Sequence, residues 1–498
     1  MKVHQFLDHY GITENPFAQE DAASDRVFQE HCLEGTHHPA WDKVYGDPET
    51  PATAVVFGEQ GSGKTALRLQ MVNRLRKYNA EHPQERAFIV EYDDFNPFLD
   101  NFRERLSGRQ RKMENAIKNW RLWDHMDAIL SLATTRLADT IRHDGTDTHE
   151  PSAGVTNDQL AQLTRPQKRD LLLLAAFYDN NRELSLPSRW SALRHKLKFP
   201  SWSSWKFMLI GLLVTVATVA SVIYFQEWKG LLQWWVWAVV FAGWVPYLWR
   251  LTRMHWMAWR VSRQIRILDH IPGELRRLLL QIDRSELSGQ PVPSRARGDD
   301  RYEMLMKLQS VLKTLGFTSI VVLVDRVDEP HLINGNSERM RDLLWPIFDN
   351  KFLKHPGVAF KLLLPAAVVV YLNRQEKEFY ERSRLDKQNL IQSLNWTGQA
   401  LYDVANDRIR ACAKLADTPP SLHDLFAPAI SQNELVSTLD RLRAPRHLFK
   451  FLYRLLVDHC SKYTEDNPEW KIQPETLQVS MSVFQRELQN YDQKLGTG

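Results

Sequence analysis

Two runs of 19 residues carry no charged side chain, Phe207 to Phe225 and Leu231 to Trp249. As helices rising 1.5 Å per residue, each extends about 28 Å, close to the roughly 30 Å hydrocarbon core of a bilayer. They separate a glycine-rich loop, Gly58-Glu59-Gln60-Gly61-Ser62-Gly63-Lys64-Thr65, from an apolar segment ending in an acid, Val321-Val322-Leu323-Val324-Asp325. This order predicts one phosphate-binding site folded around a membrane hairpin. Ten of the 17 tryptophans fall between Trp202 and Trp259. Indole rings favour the membrane–water interface, which accounts for Trp202, Trp205, Trp228, Trp249, Trp256 and Trp259 around the runs, and for Trp234, Trp235 and Trp237 at the start of the second. The competing reading is a helical hairpin buried in a soluble core, but two uncharged runs of spanning length rarely occur together there.

Flanking charge sets the orientation. Arg189, Arg194, Lys196, Lys198 and Lys206 precede the first run; Arg250, Arg253, Arg260, Arg263 and Arg266 follow the second. The connector Gln226-Glu227-Trp228-Lys229-Gly230 has no net charge. Positive residues stay cytoplasmic, which predicts a two-span protein of the cell inner membrane with both termini in the cytoplasm. The net charge of +4 from 64 basic and 60 acidic residues gives no general case for nucleic acid. The basic face from Arg250 to Arg277 is read as touching anionic lipid head groups. Cys32, Cys412 and Cys460 form no paired motif, which suits a reducing compartment. His31, Cys32, His37 and His38 lack the spacing of a tetrahedral metal site. Met1 to Phe17 has no apolar core of signal-peptide length.

The expected fold is α/β, a P-loop NTPase core with a parallel sheet. It carries a helical insertion containing the transmembrane hairpin and a C-terminal helical lid. Strands are expected at Ala54–Phe57, Phe88–Tyr92, Ser319–Val324, Val358–Leu364 and, more weakly, Asn389–Leu394. Helices are expected at Thr65–Tyr78, Arg109–His143, Arg169–Tyr178, Tyr302–Leu315, Leu401–Leu415 and His447–His459, with a polar loop over His143–Asn157. The domain reading is 1–98 for the first half of the core, 99–300 for the insertion, 301–396 for the second half and 397–498 for the helical domain.

The loop matches GxxxxGK[ST] between a strand and a helix. Glycines at 58, 61 and 63 let backbone N–H groups close on phosphate oxygens, and the following helix aims its positive end at the same anion. Lys64 is expected on the β and γ phosphates of ATP and the Thr65 hydroxyl on Mg²⁺. Asp325 would orient a water on that ion. Two acids compete as general base: Glu329 first, Asp328 second, because Arg326 occupies the position directly after Asp325. Arg446, in Leu442-Arg443-Ala444-Pro445-Arg446-His447, is read as a γ-phosphate sensor. An arginine finger from a neighbouring subunit has the unranked candidates Arg339, Arg341, Arg382 and Arg384.

Gly58 to Thr65, Val321 to Glu329 and Ala444-Pro445-Arg446 together resemble the KAP family of P-loop NTPases, whose members insert membrane helices between the phosphate loop and the acidic strand. Tyr10-Gly11-Ile12-Thr13-Glu14-Asn15-Pro16-Phe17 is similar to opening segments of related AAA-type ATPases, where they border the adenine pocket. The run Asp325-Arg326-Val327-Asp328-Glu329 departs from the family's paired acids. The resemblance implies a cytoplasmic-face, membrane-tethered ATPase of a family sometimes linked to exclusion of phage or plasmids. The expected partners are membrane lipids, further copies of the chain in a homo-oligomer, and an effector protein. A scaffold that binds ATP but hydrolyses it poorly, and a motor subunit of an envelope complex, are the other readings.

Overall fold

The computed structural model describes residues 1–142, 154–181, 184–200, 203–226, 233–373, 379, 381, 383–414 and 419–496. Most of the expected 143–157 loop, Leu415, the connector after Gln226, Leu231, Trp202 and Arg382 lie outside them, as do the side chains of Trp205, Lys206 and Phe207. Contacts divide the chain into two units. Met1–Lys77, Leu323–Asp328 and Ala359–Gly498 form one, and Tyr78–Val322 with Glu329–Val358 the other.

Strands β1 (Ala54–Gly58), β2 (Arg86–Tyr92), β3 (Phe317–Val324), β4 (Val358–Pro365) and β5 (Asn389–Ile391) form a five-stranded parallel sheet in the order β2-β3-β4-β1-β5. β1 pairs in parallel on both sides, with Val56 opposite Leu363 and Ile391. Every β1 residue is buried, as an apolar strand covered on both faces requires. The fifth strand is shorter than expected and ends at Ile391. Lys361 interrupts the apolar run of β4. Its ammonium donates to the carbonyls of Val44 (2.6 Å), Tyr45 (2.9 Å) and Ala52 (2.8 Å), while burial lowers its pKa to about 8. Helices α1 (Val3–His9) and α2 (Lys64–Glu81) begin the helical complement.

Helix α3 (Leu122–Arg142) starts thirteen positions later than the sequence pattern suggests. Over 108–119 the chain makes only short turns, and Trp120 is extended (φ −69°, ψ 138°), 1% exposed, and packed edge-on against Phe102. Burying that indole overrides the helical periodicity. Then come α4 (Arg165–Tyr178), α5 (Ser203–Gln226), α6 (Trp234–Gln264), α7 (Pro272–Leu280) and α8 (Asp299–Thr314). Asp127 on α3 accepts from Arg301 Nε and Nη2, both at 3.0 Å, and from the Tyr178 hydroxyl at 2.9 Å. All three side chains are buried, so each satisfies a polar group that would otherwise be orphaned.

α5 and α6 pack together through small residues. The Trp244 ring lies over Gly211 and Val214 over Gly243, and Trp244 Nε1 donates to Thr215 Oγ1 at 3.0 Å. Their outer faces stay apolar and exposed: Leu213 is 65% exposed, Phe241 63% and Trp249 66%. Among the described residues one helix is long and apolar enough to cross a membrane, over Met208–Phe225. The expected second span is only the front of the 31-residue α6, which is rich in tryptophan, interrupted by Pro246, and continues without a break through Arg250, Arg253, Arg260 and Arg263. Arg250 is buried at 7% exposure and donates to the carbonyls of Leu280 and Ile282.

The C-terminal region of the first unit contains α9 (Gly398–Ala411), α10 (Gln432–Asp440), α11 (Pro445–Lys462) and α12 (Pro474–Gly496). α1 joins their core: Phe6, Leu7, Ile12 and Phe17 cluster with Leu401, Leu448, Phe451 and Leu455. Thr13 Oγ1 donates to the Cys412 carbonyl at 2.9 Å, and Lys414 N–H to the Gly11 carbonyl at 2.8 Å.

Candidate functional site

The turn between β1 and α2 bends through residues that only glycine occupies without strain. Gly61 and Gly63 take φ of +81° and +92°. A Cβ on Gly61 would stand 2.5 Å from the Cβ of Arg446, so the loop and the first turn of α11 touch closely there. The Arg446 N–H donates to the Gly61 carbonyl at 3.3 Å, and Trp396 Nε1 to the Ser62 carbonyl at 2.8 Å. Glu59 and Gln60 are exposed at the loop's outer edge.

Lys64 and Thr65 open α2. The Lys64 ammonium donates to the carbonyls of Gly58 (2.9 Å) and Glu59 (2.8 Å). Burial lowers its pKa, opposed by the charges of Asp328 and Asp325. The Thr65 hydroxyl donates to Asp325 Oδ2 at 3.0 Å, and Arg68 Nε lies 3.5 Å from the same oxygen. Asp325, directly after β3, is 1% exposed. Burial raises its pKa against the pull of Arg68, the Arg326 N–H, Thr65 and Lys64. The loop lysine, its hydroxyl neighbour and the strand-end acid predicted from sequence are therefore brought together.

The two candidate bases part company. Asp328 is half-buried and its charge acts on Lys64; Glu329 is exposed and falls in the other unit. The turn that separates them begins at Arg326, whose φ of +58° is left-handed and unusual for a side chain. Arg446 lies in the first turn of α11 against Gly61, with its Nε 3.9 Å from Glu20. Arg339 donates to the Leu332 carbonyl, Arg341 pairs with Asp342 and Arg384 with Asp386.

A pocket opens beside the loop, within one unit. Its walls include Phe28, His38, Trp396, Arg408, Arg446 and Phe449, and it is partly open to solvent. Two buried polar atoms at this site, Ser62 Oγ and Arg446 Nε, have no hydrogen-bond partner among the described residues. The opening segment backs the pocket: Phe17 stacks on Phe449, with centroids 6.4 Å apart, and the Pro16 carbonyl accepts from Arg408 Nε. Arg408 in turn pairs with Asp25 at 2.5 Å and lies 4.4 Å from the centroid of the Phe449 ring.

Trp396 and Phe449 escaped the sequence reading, since lone aromatics in a helical region look like core. His38 is a wall of the pocket rather than a ligand. Its Nδ1 accepts from the Ala40 N–H, which leaves Nε2 protonated to donate to the Asn395 carbonyl at 3.0 Å. Burial lowers its pKa and pushes the Cys32 thiol up to about 11. Among the described residues no group of His, Cys, Asp and Glu is arranged to hold a metal by itself. Thr65 and Asp325 supply two hard oxygen donors side by side, which suits Mg²⁺, an ion that keeps several waters and takes its remaining ligands from phosphate. Comparison with protein-family models, with curated proteins and with solved structures finds no match.

Proposed function

We propose that the chain is a membrane-tethered P-loop ATPase. The observation that carries this reading is the convergence of Lys64, Thr65 and Asp325 beside one pocket, where Ser62 Oγ and Arg446 Nε make no hydrogen bond among the described residues. In this reading ATP lies with its base against Trp396 and Phe449 and its phosphates on the loop. Lys64 exchanges its carbonyl partners for β and γ phosphate oxygens. Thr65 and Asp325 hold Mg²⁺, which when bound neutralises charge developing on the transferred phosphoryl group. Asp328, the more buried of the two acids, orients the attacking water in this reading, with Glu329 the alternative. Arg446 Nε donates to the γ phosphate and so couples its loss to α11. Both α5 and α6 cross the inner membrane, with the positively flanked ends cytoplasmic. The KAP-like role in defence, a homo-oligomeric assembly and an effector partner belong to the same reading.

Detergent-purified protein should release phosphate from ATP. Asp328→Asn should still bind ATP but turn over the bound nucleotide at least tenfold more slowly, with Glu329→Gln much milder. Turnover no higher than in Lys64→Ala would sink the enzyme reading. Arg326, left-handed where many ATPases place an acid, favours a second reading: a scaffold that binds ATP tightly, hydrolyses it little and recruits its partner to the membrane.

A further inference from the structure

The rear of α6 carries a second recess, far along the chain from the nucleotide loop. It is lined by Trp259, Arg260, Arg263, Gln264, Ser294 and Arg295, with no acidic side chain among them. Cation–π contacts steady two of the guanidinium groups: Arg260 lies 3.6 Å from the Trp256 ring centroid and Arg263 lies 5.2 Å from that of Trp259. Arg301, wholly buried, fixes the recess from behind. Beyond its bidentate pair with Asp127, it donates to the carbonyls of Arg295 (2.6 Å) and Arg297 (3.0 Å) and reaches that of Gln264 at 3.5 Å. The 294–297 segment is thereby held against the end of α6. Three arginines line one opening, and no acidic side chain is among its described walls. A phosphate group matches that donor set.

We propose that this recess binds the phosphate of an anionic lipid head group. The flank of the uncharged run favours lipid as the source. Arg250 follows Trp249 directly, and α6 continues through Trp256, Trp259, Arg260 and Arg263 on the same side of the membrane. Long arginine side chains reach back towards the near head groups. Trp256 and Trp259 are 54% and 43% exposed there, as interfacial indoles are. The inference rests on the membrane reading of α5 and α6 but not on hydrolysis. Each arginine near an anionic surface strengthens binding about fivefold, so three give roughly a hundredfold preference for anionic over zwitterionic lipid.

The test titrates short-chain phosphatidylglycerol and phosphatidylcholine into the full-length detergent-purified protein, read by native mass spectrometry, for the native chain and for an Arg260→Ala/Arg263→Ala/Arg295→Ala variant. The preference should be near a hundredfold in the native chain and fall at least tenfold in the variant, with ATP binding and insertion into neutral bilayers retained. An unchanged preference in the variant would overturn the site. Inorganic phosphate competing at the recess with no selectivity among lipids would overturn the lipid source. Variant-sensitive binding of an RNA oligonucleotide with no lipid preference would do so too. Recovery of the native chain in the soluble fraction without detergent would instead remove the membrane reading itself.

Discussion

Substituting Gly61 by alanine tests the contact between the phosphate loop and α11 more sharply than removing Lys64 does. Gly61 has φ of +81°, where a Cβ costs about 1–2 kcal/mol on conformation alone. The added Cβ would also meet Arg446 Cβ at 2.5 Å and Cδ at 2.8 Å. Cβ is fixed to the backbone, so rotating the Arg446 side chain does not relieve the clash; the first turn of α11 must shift. Overpacking of that kind adds about 1–3 kcal/mol, for a total of about 2–5 kcal/mol.

Gly11 supplies the control. Its φ is +72°, yet nothing lies within 4 Å of its Cβ position, so Gly11→Ala pays the conformational term only. Urea unfolding followed by tryptophan fluorescence should place Gly61→Ala below Gly11→Ala by about 1–3 kcal/mol. ATP affinity should fall at least tenfold in Gly61→Ala and stay within twofold in Gly11→Ala. Equal stabilities for the two variants, with equal affinities, would refute the claim that α11 rests on the loop.

Three other outcomes follow from buried groups. Burial lowers the pKa of His125 and of His270 to about 4, so both stay neutral in the fold while the unfolded chain takes up protons below its ordinary value near 6.5. That stability is present above pH 6.5 and is lost as the pH falls towards 4, by up to about 3 kcal/mol for each histidine. Asp124, pushed up to about 6 by burial, works in the opposite direction as the pH falls below 6. Urea midpoints should therefore drop from pH 7 to pH 4.5, and His125→Gln/His270→Gln should flatten that profile; an equal slope would contradict the assignment. Lys361→Met strands three carbonyl acceptors and should lower stability by about 2–4 kcal/mol, measured by the same unfolding. Gly211→Leu drives a side chain into the Trp244 ring and should cost about 1–3 kcal/mol, seen as a lower thermal midpoint in detergent, whereas Leu213→Phe on the exposed face should leave it unchanged.

The parallel sheet was readable because its strands are near-continuous apolar runs, and β1, β3 and β4 begin or end within two residues of their expected bounds. The meeting of Thr65 with Asp325 was readable because the residue types demand each other's chemistry across 260 positions. Local pattern failed where tertiary burial outbid it. The amphipathic stretch from Arg109 looked helical until Trp120 found a pocket against Phe102. The second span rests on its lack of charge, since tryptophan and Pro246 leave the front of α6 less apolar than Met208–Phe225. Trp396 was invisible because its role depends on a carbonyl 334 residues away. Sequence shows the spacing of Asp328 and Glu329 but not the left-handed residue at Arg326, after which Asp328 is half-buried and Glu329 exposed.

In the proposed ATPase, that same lysine gives the loop an affinity for phosphate that comes from charge. Lys64 already makes two short bonds to the carbonyls of Gly58 and Glu59, so engaging a phosphate exchanges partners instead of adding them. Two neutral acceptors are traded for charged ones, which form roughly twice-stronger bonds. The exchange is favourable only while Lys64 carries its proton, and burial works against that. Asp325 and Asp328 oppose the burial, so in the proposed ATPase the acids beside the loop would serve the lysine as well as the metal and the water. Neutralising Asp328 should accordingly weaken ATP binding more at pH 9 than at pH 7, because the pKa of Lys64 falls further once that charge is gone. An affinity ratio independent of pH would show that Asp328 acts on the water alone.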